Sequence, residues 1–283
     1  MRRLVYQFMP PAYCVSEMLS AHDFAVTKSA RRRYLDRSIE ENILCYQLSG
    51  THAEHLFIAA QLLATCGADL IDINCGCPKG KIRKKGAGSA LLETPDLLVA
   101  LITQVRAAIS IPLTVKLRLH HPDTDNQLAQ RLEQAGADAL IVHARRAVDD
   151  YNVSCNWQQV AAIKRSVSIP VIANGDMATE TQLASIYEQT GCDAFMISRA
   201  GCGQPWLFER LLTGTEPKHS QKALFKQHLH ALAALENEHQ AILQSKSLVR
   251  YYFRNNLNTA QLEHFLAMQQ LSELDNWLLK LPD

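Results

Sequence analysis

Residues 139–176 read ALIVHARRAVDDYNVSCNWQQVAAIKRSVSIPVIANGD. Both ends of this segment, ALIVHAR (139–145) and PVIANGD (170–176), are short apolar runs typical of buried strands. Between them, WQQVAAIKRSV (157–167) repeats apolar residues at three- and four-residue spacing, as an amphipathic helix does. The segment therefore predicts one strand–helix–strand unit of a parallel sheet.

The same alternation runs from Cys45 to Ala200. It predicts further strands at AYCVSEM (12–18), LCYQLSG (44–50), LIDINCG (70–76), LTVKLRL (113–119) and AFMISRA (194–200). Polar residues cluster where the predicted strands end: Gln47, Asn74, Lys116, Arg118, His143, Asn174, Asp176 and Arg199. Repeated βα units predict a TIM (β/α)8-type barrel, in which those strand ends form the active-site face.

A closed barrel of this type has eight strands, whereas the sequence predicts about seven. The chain opens with MRRLVYQF, which has the pattern of a helix. Phosphate sites in such barrels usually follow strands seven and eight, and the turns ANGD (173–176) and SRAG (198–201) follow the last two predicted strands. We therefore expect the first strand of the barrel to be encoded before Met1.

After Gly214 the alternation stops and the remaining sequence is helix-like. We predict two domains, a barrel over residues 1–215 and a small helical domain over residues 216–283. Between Lys218 and Arg254, six Lys and Arg residues stand against two Glu. This local excess favours a nucleic-acid-binding surface on the second domain.

The overall composition excludes several classes of protein. A net charge of +1 argues against a generally basic surface, so contact with nucleic acid would be local. The eight cysteines form no CxxC pair, which disfavours a zinc site and a disulfide framework. No apolar run approaches the roughly 20 residues of a membrane span. We expect a cytoplasmic, metal-free monomer.

The most informative motif lies in IDINCGCPKGKIRKKGAGSALL, residues 71–92, where a strand ends in Asn-Cys-Gly-Cys-Pro before a basic loop. Together with QLSG (47–50), VKLRL (115–119), VHARR (142–146) and PVIANGD, this motif resembles the tRNA-dihydrouridine synthases over nearly the whole chain. The resemblance implies an FMN-dependent enzyme that reduces a uridine in tRNA to 5,6-dihydrouridine, with NADPH as the reductant.

The chemistry of uracil reduction explains the cysteine. Hydride addition to the ring double bond leaves the neighbouring carbon in need of a proton. Because a thiol ionises at about pH 8.5, it is mostly protonated at neutral pH, and Cys77 therefore suits the proton donor. Composition alone would favour a buried structural cysteine. The resemblance also implies that Asn74 and Arg118 recognise the base, through an amide and through a cation beside the developing oxygen charge.

The flavin contacts follow in the same way. Lys116 and Arg118 are two residues apart on one predicted strand, so they face the same side. A lysine that points into a barrel needs an anion, which reduced flavin supplies. The resemblance implies flavin contacts from Gln47, Lys116 and His143, and phosphate contacts from Asn174, Gly175, Asp176, Ser198 and Arg199, with Gly175 supplying a tight turn.

The chain departs from the family pattern at several positions. Ser198 replaces the usual glycine before Arg199, Ala144 replaces the glycine after His143, and Arg146 replaces a small polar residue. If Ser198 needs a left-handed backbone, phosphate binding is weakened. No segment matches the family's first strand, which ends in an Ala-Pro-Met-type turn against the flavin.

The basic loop after Cys77 contains Lys81, Arg83, Lys84 and Lys85. A solvated surface is its ordinary explanation, but its place beside Cys77 favours contact with RNA phosphates. Two other functions stay open at this point. One is an FMN barrel reductase that acts on a free pyrimidine, and the other is a non-catalytic tRNA-binding protein that has lost its flavin.

Overall fold

A computed structural model of the protein describes residues 1–27, 34–216, 219–254 and 256–281. The chain forms two compact units. We call Pro11–Ile197 the barrel unit, and Met1–Pro10 with Ser198–Asp283 the helical unit. The predicted division into a catalytic domain at 1–215 and a tRNA-binding domain at 216–283 is a functional one and stays a prediction.

The barrel unit contains a parallel sheet in which the strands follow one another in chain order. The strands are β1 (Cys14–Ser20), β2 (Leu44–Ser49), β3 (Leu70–Cys75), β4 (Leu113–Leu119), β5 (Ala139–Arg146), β6 (Val171–Asn174) and β7 (Ala194–Met196). The seven predicted strands are confirmed. The last two are shorter than predicted, so Gly175, Asp176, Ser198 and Arg199 lie beyond the strand ends.

Helices connect the strands, and the longer ones bury apolar side chains in the core beside the sheet. They are α2 (Ala21–Val26), α3 (Ala53–Thr65), α4 (Gly80–Arg83), a 3-10 helix (Gly88–Glu93), α5 (Pro95–Ala108), α6 (Pro122–Gln134), α7 (Trp157–Ser166) and α8 (Glu180–Thr190). Among the described strands, β1 pairs only with β2 and β7 only with β6. The described sheet is thus an open arc of seven strands, one fewer than a closed (β/α)8 barrel.

The inner face of the sheet is unusually polar. Barrel interiors of this type are normally filled by branched apolar side chains. Here β4 alternates Thr114, Lys116 and Arg118 on one face, and the neighbouring β3 carries Asp72 and Asn74. Buried polar groups are costly unless they are paired. This face therefore marks a site and not a packing core.

The helical unit consists of α1 (Arg2–Val5), α9 (Leu207–Thr213), α10 (Gln221–Leu235), α11 (Glu238–Phe253), α12 (Thr259–Ala267) and α13 (Leu271–Lys280). An aromatic cluster forms its core: the ring centroids of Phe225 and Tyr252 lie 4.9 Å apart, as do those of Phe265 and Trp277. Lys218, at which the predicted basic stretch begins, lies outside the described residues. Within the described residues, no helix combines the length and hydropathy needed to cross a membrane.

One buried histidine in the helical unit predicts a pH-dependent stability. His228 is 4% exposed, its Nδ1 lies 3.1 Å from the Tyr252 hydroxyl, and burial lowers its pKa to about 3. His228 stays neutral in the native unit, whereas in the unfolded chain it is protonated below the ordinary histidine pKa of about 6.5. The contribution of His228 to the free energy of unfolding is therefore largest above pH 6.5 and is lost as the pH falls. We expect His228 to contribute a loss of about 2 kcal/mol between pH 7 and pH 5, measured by urea unfolding as the difference between the protein and a variant that lacks this histidine.

The matched variants are His228→Gln, which removes the titrating group, and His264→Gln, which changes an exposed histidine of the same unit. His228→Gln should remove this contribution from the pH dependence, whereas His264→Gln should leave it in place. Equal pH dependence in His228→Gln and the unmodified protein would refute the assignment.

Candidate active site

The loop that follows β3 is held from two sides. The side-chain oxygen of Asn74 accepts hydrogen bonds from the backbone N–H groups of Gly76, at 3.2 Å, and of Cys77, at 3.0 Å. From the other side, the backbone N–H of Ser89 donates to the Cys77 carbonyl at 3.0 Å. The half-buried Cys77 thiol is thus fixed at the carboxyl end of the sheet.

Gly88 permits the second of these contacts. Its φ is +63°, and a Cβ at this position would lie 2.7 Å from the Cys77 carbonyl oxygen. Both the backbone conformation and the available space require glycine here. The sequence reasoning placed Gly88 inside a basic loop but assigned it no role.

Arg118 lies beside the same loop. It is 5% exposed, and its Nε donates to the Gly76 carbonyl at 2.8 Å, while Nη1 donates to the Arg146 carbonyl at 3.1 Å. Burial lowers the pKa of Arg118, and a hydrogen bond with Tyr151 and the neighbouring Cys77 thiol oppose that effect. The predicted base-recognising cation and the predicted proton donor are therefore neighbours.

Lys116 faces the interior of the same sheet. Its Nζ donates to the side-chain oxygen of Asn174 at 2.9 Å, and the Asn174 amide in turn donates to the Met196 carbonyl at 2.7 Å. Burial lowers the pKa of Lys116 to about 8, and the nearby Asp72 opposes that effect. The structure thus brings together two predicted flavin-binding residues that are 58 positions apart in the chain.

Asp72 is a site residue that the sequence reasoning missed. It is fully buried, and it accepts hydrogen bonds from Gln47 Nε2 at 2.8 Å and from the Thr114 hydroxyl at 2.6 Å. Burial raises its pKa to about 6, against the hydrogen bonds and the charge of Lys116. A carboxylate inside the apolar run LIDINC was the available signal, because a buried charge requires partners.

Arg145 is a second missed residue. It is 3% exposed and donates to the carbonyls of Tyr151, at 3.0 Å, and Val153, at 2.5 Å, and it forms a short ion pair with Asp176. Its buried Nη1 has no hydrogen-bond partner among the described residues. Asp176, a predicted phosphate-loop residue, is therefore neutralised by a cation that retains one unused donor.

Gly175 is needed for space and not for a left-handed turn. Its φ is not positive, but a Cβ there would lie 2.6 Å from the Trp157 ring and 2.8 Å from the Cys155 sulfur. The loop Asn174–Asp176 therefore packs directly on Trp157. Ser198 likewise has no left-handed backbone, so its replacement of glycine causes no strain of that kind.

The remaining predicted residues have simpler environments. His143 is half-buried on β5, in register with Arg118 on one side and Asn174 on the other. Ser198 and Arg199 belong to the helical unit. Lys81, Lys84 and Lys85 are exposed. Arg83 instead donates to the Ser89 hydroxyl at 2.9 Å and pairs with Glu93 at 2.6 Å, so its guanidinium supports the Cys77 loop.

The parallel βα sheet, with polar side chains converging at its carboxyl end, defines a TIM-barrel-type α/β protein. Two solved structures share this fold at low sequence identity. An old yellow enzyme homologue from Zymomonas mobilis matches with a TM-score of 0.58 and 15% identity, covering 76% of this chain and 83% of that one. Morphinone reductase matches with a TM-score of 0.58 and 14% identity, covering 78% and 83%.

The family is defined at the sequence level. Residues 1–278 match the dihydrouridine synthase (Dus) family, and the chain belongs to it. The tRNA-dihydrouridine synthase B of Shewanella oneidensis is 34% identical over 285 residues, which cover 93% of this chain and 88% of that protein. The Escherichia coli protein of the same name is 36% identical over 213 residues, covering 74% and 66%. The chain is thus an oxidoreductase of the dihydrouridine synthase type, and the predicted family is confirmed.

Proposed function

We propose that this protein is a tRNA-dihydrouridine synthase that binds FMN on the inner face of the barrel unit and reduces a uridine of tRNA with electrons from NADPH. The observation that carries the proposal is the clamped Cys77 loop beside the buried Arg118. An acid and a cation are adjacent at the carboxyl end of the sheet, where barrel enzymes bind their substrates.

The residues of the inner face fit a flavin. Lys116 is a half-buried cation whose direct hydrogen-bond acceptor, Asn174, is neutral, so its charge suits an anionic ring. The unused Nη1 of Arg145, beside the Asn174–Asp176 loop, suits a phosphate oxygen. Gln47 and His143 complete the predicted ring contacts. Ser198 and Arg199 stay sequence-based candidates for a second phosphate contact.

FMN held by these residues would, when reduced, be the source of the hydride for one carbon of the uracil double bond. Cys77 Sγ gives its proton to the neighbouring carbon, which completes the saturation of that bond. Arg118 stabilises the negative charge on the carbonyl oxygen, and the Asn74 amide orients the base. The direct test is to incubate purified protein and NADPH with tRNA from a synthase-deficient host.

We expect bound FMN in the purified protein and dihydrouridine in the treated tRNA, measured by nucleoside mass spectrometry. Free uracil and free uridine should not be reduced at a comparable rate. Reduction of the free pyrimidine alone would favour the small-molecule reductase. Tight tRNA binding without FMN and without dihydrouridine would favour a non-catalytic tRNA-binding protein.

The basic loop gives a separate prediction about RNA binding. Lys84 and Lys85 are exposed, so the paired replacement with Gln should remove one to two phosphate contacts. We expect the slope of log K against log salt for tRNA binding to fall by about 1 to 1.5 in magnitude. Filter binding at several salt concentrations measures this slope.

Two control variants separate charge from structure. Arg165→Gln removes an exposed cation from the last turn of α7, which lies toward the amino ends of the strands, and should leave the slope unchanged. Arg83→Gln should disturb the Cys77 loop and not the slope, because Arg83 is paired with Glu93. An unchanged slope in the Lys84 and Lys85 variant would return the loop to an ordinary solvated surface.

A further inference from the structure

We propose that Asp72 is a positioning residue, which sets the loop carrying Cys77 through a hydrogen-bond relay that passes along Gln47 and Asn74. The relay itself is a feature of the fold and does not depend on the proposed function. Its effect on catalysis rests on the proposed function.

The relay consists of four consecutive hydrogen bonds. Asp72 Oδ2 accepts from Gln47 Nε2 at 2.8 Å, and Gln47 Oε1 accepts from Asn74 Nδ2 at 2.9 Å. Asn74 Oδ1 then accepts from the backbone N–H groups of Gly76 and Cys77 at 3.2 and 3.0 Å. Asp72, Gln47 and Asn74 are all buried. Water therefore does not compete readily for these bonds.

The carboxylate gives the relay its direction. An ionised Asp can only accept, so Gln47 must turn its N–H group toward Asp72 and its oxygen toward Asn74. Asn74 must then turn its N–H group toward Gln47, which leaves its oxygen for the two backbone donors. With either amide reversed, two oxygens or two N–H groups would face each other in a buried site.

Neighbouring groups hold Asp72 in place. The Thr114 hydroxyl donates to its Oδ1 at 2.6 Å, and the charge of Lys116 lies near enough to favour the ionised form. The oxygens of Gln47 and Asn74 are both occupied within the relay. Each amide retains a second N–H, so these residues offer donors to a bound molecule. Donors suit the carbonyl oxygens of a flavin or of uracil.

The test breaks the relay and then rebuilds it with opposite polarity. Gln47→Glu sets one carboxylate against another, and Gln47→Met removes the amide without a new charge. Asp72→Asn combined with Gln47→Glu restores complementary groups, because the new Asn can donate to the new Glu, which still accepts from Asn74. Asp72→Asn combined with Gln47→Met has no such pairing.

The main readout is independent of activity. Hydrogen–deuterium exchange of the Gly76 and Cys77 amides, resolved by fragmentation mass spectrometry, reports the last links of the relay. We expect exchange about fivefold faster in both Gln47 variants, as for the loss of one hydrogen bond worth ~1 kcal/mol. The Asp72→Asn, Gln47→Glu protein should return to within about twofold of the original rate, whereas the Asp72→Asn, Gln47→Met protein should not.

Asp138→Asn is the matched control. Asp138 lies in the same unit and accepts from the Leu113 backbone, outside the relay, so its replacement should leave exchange at Cys77 unchanged. Unchanged exchange in both Gln47 variants, or failure of the rebuilt pair to restore it, would overturn the proposal. If exchange follows the relay but no protein of the set makes dihydrouridine, the relay stands and the proposed function fails.

Discussion

Replacement of Cys77 by Ala is expected to lower dihydrouridine formation by about 100-fold or more, the range typical of a general acid. The thiol lies in a loop fixed by Asn74 and Ser89, so its removal takes away the proton donor without removing either clamp. Both clamps bind backbone atoms of residue 77, and the variant should therefore keep its fold and its flavin. Single-turnover assays with pre-reduced enzyme and tRNA measure the effect on chemistry alone.

Cys66→Ala is the matched control, because Cys66 is an exposed thiol of the same unit that lies outside the site. It should have near-normal activity. Cys77→Ser keeps a hydroxyl that is a far weaker acid than a thiol, so it should resemble Cys77→Ala. Near-normal turnover in Cys77→Ala would remove the assignment, whereas loss of flavin in that variant would indicate a structural role.

The strand order and the face of β4 on which Lys116 and Arg118 lie were predictable because they depend on local patterns. Period-two alternation alone placed Lys116 and Arg118 on one side of a strand, and the structure finds both on the inner face. The motif Asn-Cys-Gly-Cys-Pro likewise predicted a turn at the end of β3. Such inferences need only neighbouring residues, which a single sequence supplies.

The relay partners could not be predicted in this way. Asp72 stands two residues before Asn74, but its hydrogen-bond partners Gln47 and Thr114 are 25 and 42 positions away. Their contact depends on how three strands align, and no local pattern specifies that register. The orphan donor of Arg145 is similar, since it exists only because the surrounding loop satisfies the other nitrogens.

The basic loop shows a different limit. The sequence does not distinguish the four cations of this loop. In the structure the three lysines are exposed, whereas Arg83 is half-buried. Arg83 pairs with Glu93, ten residues downstream, across the 3-10 helix. Because charge patterns do not reveal which cations are already paired, the sequence could indicate a basic loop but not its free members.

Replacement of Lys116 by Met is expected to weaken FMN binding by at least about tenfold, the scale of one charge-assisted hydrogen bond. Met preserves most of the length and the apolar part of the side chain, so the loss can be assigned to the charge. Flavin affinity, measured by fluorescence quenching of added FMN, is the readout. Lys164→Met removes a lysine of the same unit that pairs with Asp193, and it should leave the affinity unchanged.

The charge on Lys116 also makes flavin affinity depend on pH, and Lys116→Met should lose this dependence. Burial lowers the pKa of Lys116 to about 8, so the native protein releases this proton well before the unfolded chain does. The native state thus gains stability as the pH rises from 8 toward the ordinary lysine pKa of about 10.4, and holding the charge at pH 7 costs stability. We therefore expect Lys116→Met to be at least as stable as the original protein at pH 7, although it binds flavin less well.

In the original protein flavin affinity should decline above pH 8, and in Lys116→Met this decline should be absent. A variant that is less stable and still shows the same decline would mean that Lys116 is a packing residue and not the cation that holds the flavin.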